Sequence, residues 1–215
     1  MEIVKETIEL QGEELVLTNQ RAIYWPALKA LILSDVHVGK TAHFRKHGIP
    51  IPDDIFKEDL QKLQGLIHHF KVEQVLIVGD LFHAEANKNM AEFAQWRHQF
   101  NDVVFRLIKG NHDRLSDRWI SRFNLEVVNY LKLDPFLFVH DPQDHKKDAF
   151  VISGHIHPGV LVKGKGKQKI KLPCYAVTNN EMVLPAFSRF TGLNSRYSKK
   201  NTVHYAFTDN AFFIF

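Results

Sequence analysis

The chain predicts an α/β (α+β) fold in which two β-sheets pack face to face with helices outside, and three observations carry that expectation. Continuous aliphatic runs alternate with amphipathic stretches from Ala30 to Ile108, short β-prone runs crowd the second half, and polar, histidine-rich blocks fall where the aliphatic runs stop. The candidate ligands run from Asp35 to His157, so a site built from them needs both halves folded together, and residues 1–215 read as a single domain.

Ile3 to Leu10, Glu14 to Thr18 and Ala22 to Trp25 are separated by Gly12 and polar residues and read as an antiparallel start. Ala30 to Ser34 is a continuous apolar run, the pattern of a strand covered on both faces. After Pro50 and Pro52, Asp53-Asp54 reads as a cap. Phe56, Leu60, Leu63, Ile67 and Phe70 then follow at helical spacing, an amphipathic helix of about four turns. Val75 to Val78 is a second buried strand ending at Gly79-Asp80. Asn87 to Phe100 is a second helix with Met90, Phe93, Ala94 and Phe100 inward, and Val103 to Ile108 is a third strand. Short strands follow at Leu125 to Val128, Leu131 to Leu133, Phe136 to Val139, Ala149 to Ser153, Val160 to Lys163, Lys169 to Leu172 and Tyr175 to Thr178. Thr202 to Thr208 and Ala211 to Phe215 close the series.

Composition removes several classes. Cys174 is the only cysteine, which forbids an internal disulfide and fits a reducing cytoplasm. No basic leader and no stretch of ~18 apolar residues occurs, so neither secretion nor membrane insertion is expected. The net charge of +4 permits an anionic substrate. Of the thirteen histidines, His43, His47, His68, His69, His98, His145 and His204 read as surface or packing residues.

The chemistry sits in five blocks: Asp35-Val36-His37, Gly79-Asp80, Gly110-Asn111-His112-Asp113, Val139-His140 and Gly154-His155-Ile156-His157. An isolated Asp-x-His or Gly-Asp is an ordinary loop, whereas Gly-Asn-His-Asp and Gly-His-Ile-His after strands are specific, and the ordered set is more so. Asp35 and His37 are two apart, so in extended backbone they point the same way and one cation can take both. Asp80 adds a carboxylate able to bridge two cations, and Asn111, His140 and the His155/His157 pair complete two shells. Mixed O and N donors suit Mn, Fe, Zn or Mg, and the lack of thiolate argues against a structural zinc. Two cations roughly 3.5–4 Å apart hold a bridging hydroxide and clamp a phosphoryl group, which makes phosphoester hydrolysis the expected reaction. His112 is placed to donate a proton to the departing oxygen, with Asp113 orienting its ring.

The order, spacing and strand-end context of the blocks resemble the calcineurin-like metallophosphoesterase superfamily over Ala30 to about Leu184. The resemblance implies a four-layer αββα sandwich of two mixed sheets. It implies one metal on Asp35, His37, Asp80 and His157, a second on Asp80, Asn111, His140 and His155, and His112 as the acid. His145, in a polar run, is the rival of His140. His83 either lines the site and contacts substrate or is a surface residue.

Ser34 to Lys40, continuing through His43-Phe44-Arg45 to Gly48-Ile49-Pro50-Ile51-Pro52, together with Leu184 to Phe187 and Thr191-Gly192, is similar to the bacterial ligase-associated DNA-damage-response endonucleases. Ser188 and Leu193 depart from that branch, which is expected to carry glycine there. The resemblance implies a Mn-dependent phosphodiesterase or endonuclease on DNA or RNA, linked to a DNA ligase and a helicase. Lys40, Arg45 and Lys46 either flank the cleft and meet phosphate oxygens or form a solvated loop. Lys163, Lys165, Lys167, Lys169 and Lys171 alternate with other residues. In extended form they make either a ribbon for a phosphate backbone or a hairpin tip that discourages edge pairing. A phosphoesterase of nucleotides, phosphoproteins or lipid head groups is the alternative function. A non-catalytic scaffold is the third, and the complete ligand set argues against it.

Overall fold

A computed structural model describes residues 2–49, 51, 54–83, 88–113, 116–144, 149–166 and 168–215. Pro50, Pro52, Asp53, His145 and Lys167, singled out above, lie outside these, as do the side chains of His43, Lys46 and Asp54. The first half contains β1 (Lys5–Leu10), β2 (Glu13–Thr18), β3 (Ile23–Trp25), β4 (Ala30–Leu33), α1 (Lys40–Lys46), α2 (Asp54–Phe70), β5 (Gln74–Val78), α3 (Lys88–Arg97), β6 (Val104–Ile108), α4 (Asp117–Phe123) and β7 (Glu126–Val128). Its strands form one sheet in sequence order. The ladder is antiparallel from β1 to β4 and parallel from β4 to β7. The switch follows from the connections: tight turns join the first strands, whereas helices carry the chain between the last ones.

The second half contains β8 (Leu131–Leu133), β9 (Phe136–Val139), β10 (Phe150–Ser153), β11 (Gly159–Lys163), β12 (Lys169–Val177), β13 (Glu181–Val183), β14 (Val203–Phe207) and β15 (Phe212–Ile214). Its sheet runs β15-β14-β12-β13-β10-β9-β8, with β11 paired only to β12. Apolar side chains from both sheets meet between them, among them Leu15, Ile32, Leu76 and Val78 from the first and Phe136, Phe138, Ile152 and Met182 from the second. Trp25 meets Phe136 edge-on at 5.1 Å between ring centres. The buried Tyr175 hydroxyl crosses to the first sheet and donates to Thr18 O and Ala22 O at 2.8 and 3.0 Å. Burying side chains of this size contributes roughly 1.5–3 kcal/mol each.

On its other face the first sheet is covered by the helices. Phe56, Leu60, Leu63 and Ile67 of α2 and Met90, Phe93 and Ala94 of α3 are buried there, while Phe70 is half-buried. β4 is apolar throughout because it is covered on both faces. The expectation of two mixed sheets with helical cover matches this architecture. The α-helices among the described residues all lie at or before Phe123. The outer face of the second sheet is covered by irregular chain before β14, where the Tyr197 hydroxyl and the Lys199 ammonium both donate to the buried Glu181 at 2.6 Å. No helix among the described residues is long and apolar enough to cross a membrane.

Candidate metal centre

Each block sits at the carboxyl end of a strand, where open α/β sheets leave room for ligands. Asp35 and His37 follow β4, Asp80 follows β5, Asn111 to Asp113 follow β6, His140 follows β9, and His155 and His157 follow β10. Backbone bonds carry the register past the strands: Asp35 N–H donates to Gly79 O, His37 N–H to Asp80 O, and Gly154 N–H to His140 O, all at 3.0–3.1 Å. Five of these residues, Asp35, His37, Asp80, His155 and His157, hold positive φ between 51° and 65°. That region is unfavourable for non-glycine residues and is retained mainly where surrounding structure enforces it, characteristically at functional sites.

The side chains fall into two groups able to hold a cation, Asp35 with His37 and His157, and Asp80 with His140 and His155. In the first, His157 Nε2 lies 3.0 Å and His37 Nε2 3.9 Å from Asp35 Oδ1. In the second, His140 Nε2 lies 3.3 Å from Asp80 Oδ2 and 3.3 Å from His155 Nδ1. His155 N–H donates to Asp35 Oδ2 at 3.1 Å, which ties the groups together. His140 Nδ1 lies 3.1 Å from Val78 O, a contact that, as a donated hydrogen bond, leaves Nε2 as the ligating atom.

These groups fit a divalent cation. His37 Nδ1 and Nε2 are buried and make no hydrogen bond among the described residues, and Asp35 Oδ1, also buried, makes none but has the imidazole nitrogen of His157 beside it at 3.0 Å. Buried polar atoms are rarely left so, unless an ion or water completes them. Burial, with the Lys40 charge, pushes His37 down to about 3, so its ring is neutral and the lone pair of one ring nitrogen is available. Burial would raise Asp80, but the His140 hydrogen bond and charge and the His112 N–H outweigh it and hold the carboxyl below its ordinary range. Burial would lower His140, but Asp80 raises it well above the usual imidazole range. A cation taken up here must displace the proton that this pair shares. Uptake should therefore release a proton and tighten as pH rises through neutrality. Calorimetry in buffers of differing protonation enthalpy measures the release, and uptake without proton exchange would contradict it.

The remaining candidates sort by position. His112 lies exposed on the turn after β6, its N–H donating to Asp80 Oδ1 at 3.0 Å. Asn111 is exposed beside it. The expectation that Asp113 orients the His112 ring is corrected. Its buried carboxylate accepts from Phe82 N–H and Gly110 N–H, both at 2.9 Å, and so ties the loop after β5 to the loop after β6. Burial pushes Asp113 up to about 6, against the pull of those two donors. His83 stands 5.4 Å from the His37 ring and 4.9 Å from that of His112, which brings it into the centre. Lys40 and Arg45, read as either flanking the cleft or lying in a solvated loop, lie in α1. Burial lowers Lys40, while Asp35 and Asp80 pull the other way, so its charge acts within the site. Arg45 donates to Ile51 O at 3.3 Å and tethers the chain beyond the helix.

Sequence reasoning missed the support behind Asp35. Phe187 N–H and Ser188 N–H donate to Ser34 O and Asp35 O at 2.8 and 3.2 Å. That segment is gripped from behind by Arg21, donating to Ala186 O and Ser188 O, and by the Lys62 ammonium, 2.7 Å from Phe187 O and 3.8 Å over the Phe187 ring. The Leu184 to Phe187 motif was the only signal, and nothing in the sequence joined Arg21 or Lys62 to it.

Paired groups able to hold divalent cations thus stand at the strand ends of a two-sheet sandwich, an arrangement suited to phosphoester chemistry. The crystal structure of the Pseudomonas putida nuclease MPE superposes with a TM-score of 0.81 at 32% identity, covering 94% of this chain and 96% of that one. Yfce, a phosphoesterase from E. coli, covers 84% of this chain and 88% of its own at 11% identity and a TM-score of 0.41. A predicted phosphoesterase from Streptococcus pneumoniae TIGR4 covers 86% of each chain at 12% and 0.31. No protein-family model and no curated protein matches. On the strength of its likeness to the nuclease, the chain belongs to the calcineurin-like metallophosphoesterases, on that nuclease's branch. It is a phosphoesterase hydrolase.

Proposed function

We propose that the chain is a single-domain, two-metal phosphodiesterase that cuts nucleic acid, with manganese as the cation, acting in the reducing cytoplasm in DNA repair beside a ligase and a helicase. The observation that carries the reading is the pair of ligand groups tied through His155 N–H to Asp35, on a chain alike over nearly its whole length to a nuclease. Asp35, His37 and His157 would hold one cation and Asp80, Asn111, His140 and His155 the other, with Asp80 shared. Two bound cations would neutralise phosphoryl charge and lower the pKa of the attacking water.

The protein's own groups supply the rest. His37 stays neutral and keeps one nitrogen lone pair for a ligand. Lys40 adds fixed positive charge beside Asp35 and Asp80, suited to a phosphate oxygen. His83, between His37 and His112, lines the approach. His112, exposed at the rim, gives its proton to the departing oxygen as the P–O bond breaks. His112→Ala should keep bound metal but lower turnover by about 10²–10⁴, most for poor leaving groups. Metal analysis beside a series of aryl diesters checks it, and loss of metal in this variant would reverse the assignment.

The decisive test assays the purified protein with Mn, Mg, Zn and Fe against mono- and diesters and against structured DNA and RNA. Cleavage of a DNA or RNA hairpin with Mn supports the reading. Failure to cut any nucleic acid rejects it, and faster turnover of p-nitrophenyl phosphate than of the diester turns the assignment toward small phosphoesters.

A further inference from the structure

We infer that the β11–β12 hairpin is a nucleic-acid backbone arm, gripping the phosphates that flank the cut and not the one being cut. The inference rests on the nucleic-acid reading above and deepens it. The sequence places five lysines between 163 and 171, at 163, 165, 167, 169 and 171, more than the whole chain's net charge of +4, and no carboxylate from Pro158 to Asn180. The chain's positive excess is thus concentrated in one element. Lys163, Lys165, Lys169 and Lys171 are exposed and form no ion pair among the described residues.

Register gathers the charge on one face. Lys163 stands directly opposite Lys169, and Leu161 opposite Lys171, so these three lysines share the exposed face. Like charges directly opposite destabilise a strand pair. A hairpin needing lysine only to discourage edge pairing has no reason to oppose two of them, whereas a polyanion relieves the repulsion.

The arm is also fixed to the metal centre. Gly159, its first residue, follows His157 by two, and Asn194 locks its base by donating to His157 O at 2.9 Å while accepting from Gly159 N–H at 3.2 Å. At about 3.3 Å per residue, the Leu161–Lys171 pair lies about 13 Å and the Lys163–Lys169 pair about 20 Å along the strand from His157. With roughly 3.4 Å of rise per phosphate on a strand, the lysines reach phosphates about four to six nucleotides from the cut.

The test measures binding of a fluorescein-labelled 40-nucleotide DNA hairpin in EDTA by anisotropy, from 50 to 300 mM salt. It compares the wild type with the fourfold variant Lys163→Gln, Lys165→Gln, Lys169→Gln, Lys171→Gln, and with the corresponding fourfold Lys→Arg variant. The Gln variant should lose about three from the slope of log affinity against log salt, and at least about tenfold in affinity at 100 mM, while the Arg variant keeps both. A wild-type slope in the Gln variant overturns the inference, as does an Arg variant that falls as far as Gln. If the wild type hydrolyses bis-p-nitrophenyl phosphate yet neither binds nor cuts nucleic acid, the nucleic-acid reading falls and this inference with it. If nucleic acid is cut and the slope does not move, this inference alone falls.

Discussion

Asp80→Asn is expected to leave the protein folded and strip it of metal at both groups, with turnover falling on the order of 10³-fold, the scale of losing a donor at developing transition-state charge. The shape is kept. Asn Oδ1 can still accept the His112 N–H that Asp80 takes at 3.0 Å, so the loop after β6 keeps its anchor. The charge is lost, and it serves more than its own group: Asp80 raises His140 and also acts on His37 and Lys40. An amide at the centre presents a dipole where a cation needs an anion, and one amide orientation turns N–H donors toward it. Metal content by mass spectrometry after equilibration with Mn, beside diester turnover and a thermal melt, checks all three parts. Two equivalents of metal retained in the variant would remove Asp80 from the role of shared ligand.

What was legible in the sequence was the parts that repeat or concentrate. Ala30–Leu33 and the Val75 to Val78 part of β5 read as strands because burial on both faces leaves no polar position, and Val104–Ile108 because only Arg106 interrupts its apolar run. The ligand blocks stood out because chemistry-bearing residues were packed at their ends. α1 and α4 were missed because seven residues give too few turns for a periodic stripe, and α1 carries Lys40 and Arg45, which read as loop. Pro173 split one strand into two in the reading, although β12 runs through it. The missing N–H costs little there, because Pro173 ends the ladder to β11 and the ladder to β14 begins at Cys174. Asp113 was misread because its neighbour His112 suggested a partner along the chain, whereas its donors, Phe82 and Gly110, come from two separate loops. The positive φ of five candidate ligands left no trace in residue type, since the type was fixed by chemistry and the backbone had to follow.

That enforced backbone makes the adjoining glycines sensitive neutral positions, and Gly79→Ala should be among the most damaging methyl additions at the described glycines. A Cβ at Gly79 would lie 2.0 Å from His140 Nδ1 and 2.3 Å from its Cγ, well inside any real contact. His140 cannot simply recede. Its ring is buried, Nδ1 lies against Val78 O, and Nε2 faces Asp80 and His155. Gly79 also sits at φ +81°, where a side chain adds about 1–2 kcal/mol, and overpacking adds typically 1–3 kcal/mol. For a chain of this length, the sum lowers the melting temperature by roughly 5–15 °C. The chemical loss should be larger than the loss of stability. With the ring swung aside, the Asp80 group keeps its carboxylate and His155 but loses its buried imidazole, so metal affinity there should fall at least about 10–100-fold. Metal titration at a temperature where both proteins are folded separates the two effects. Wild-type metal affinity in a destabilised Gly79→Ala protein would mean that His140 is a packing residue and not a ligand.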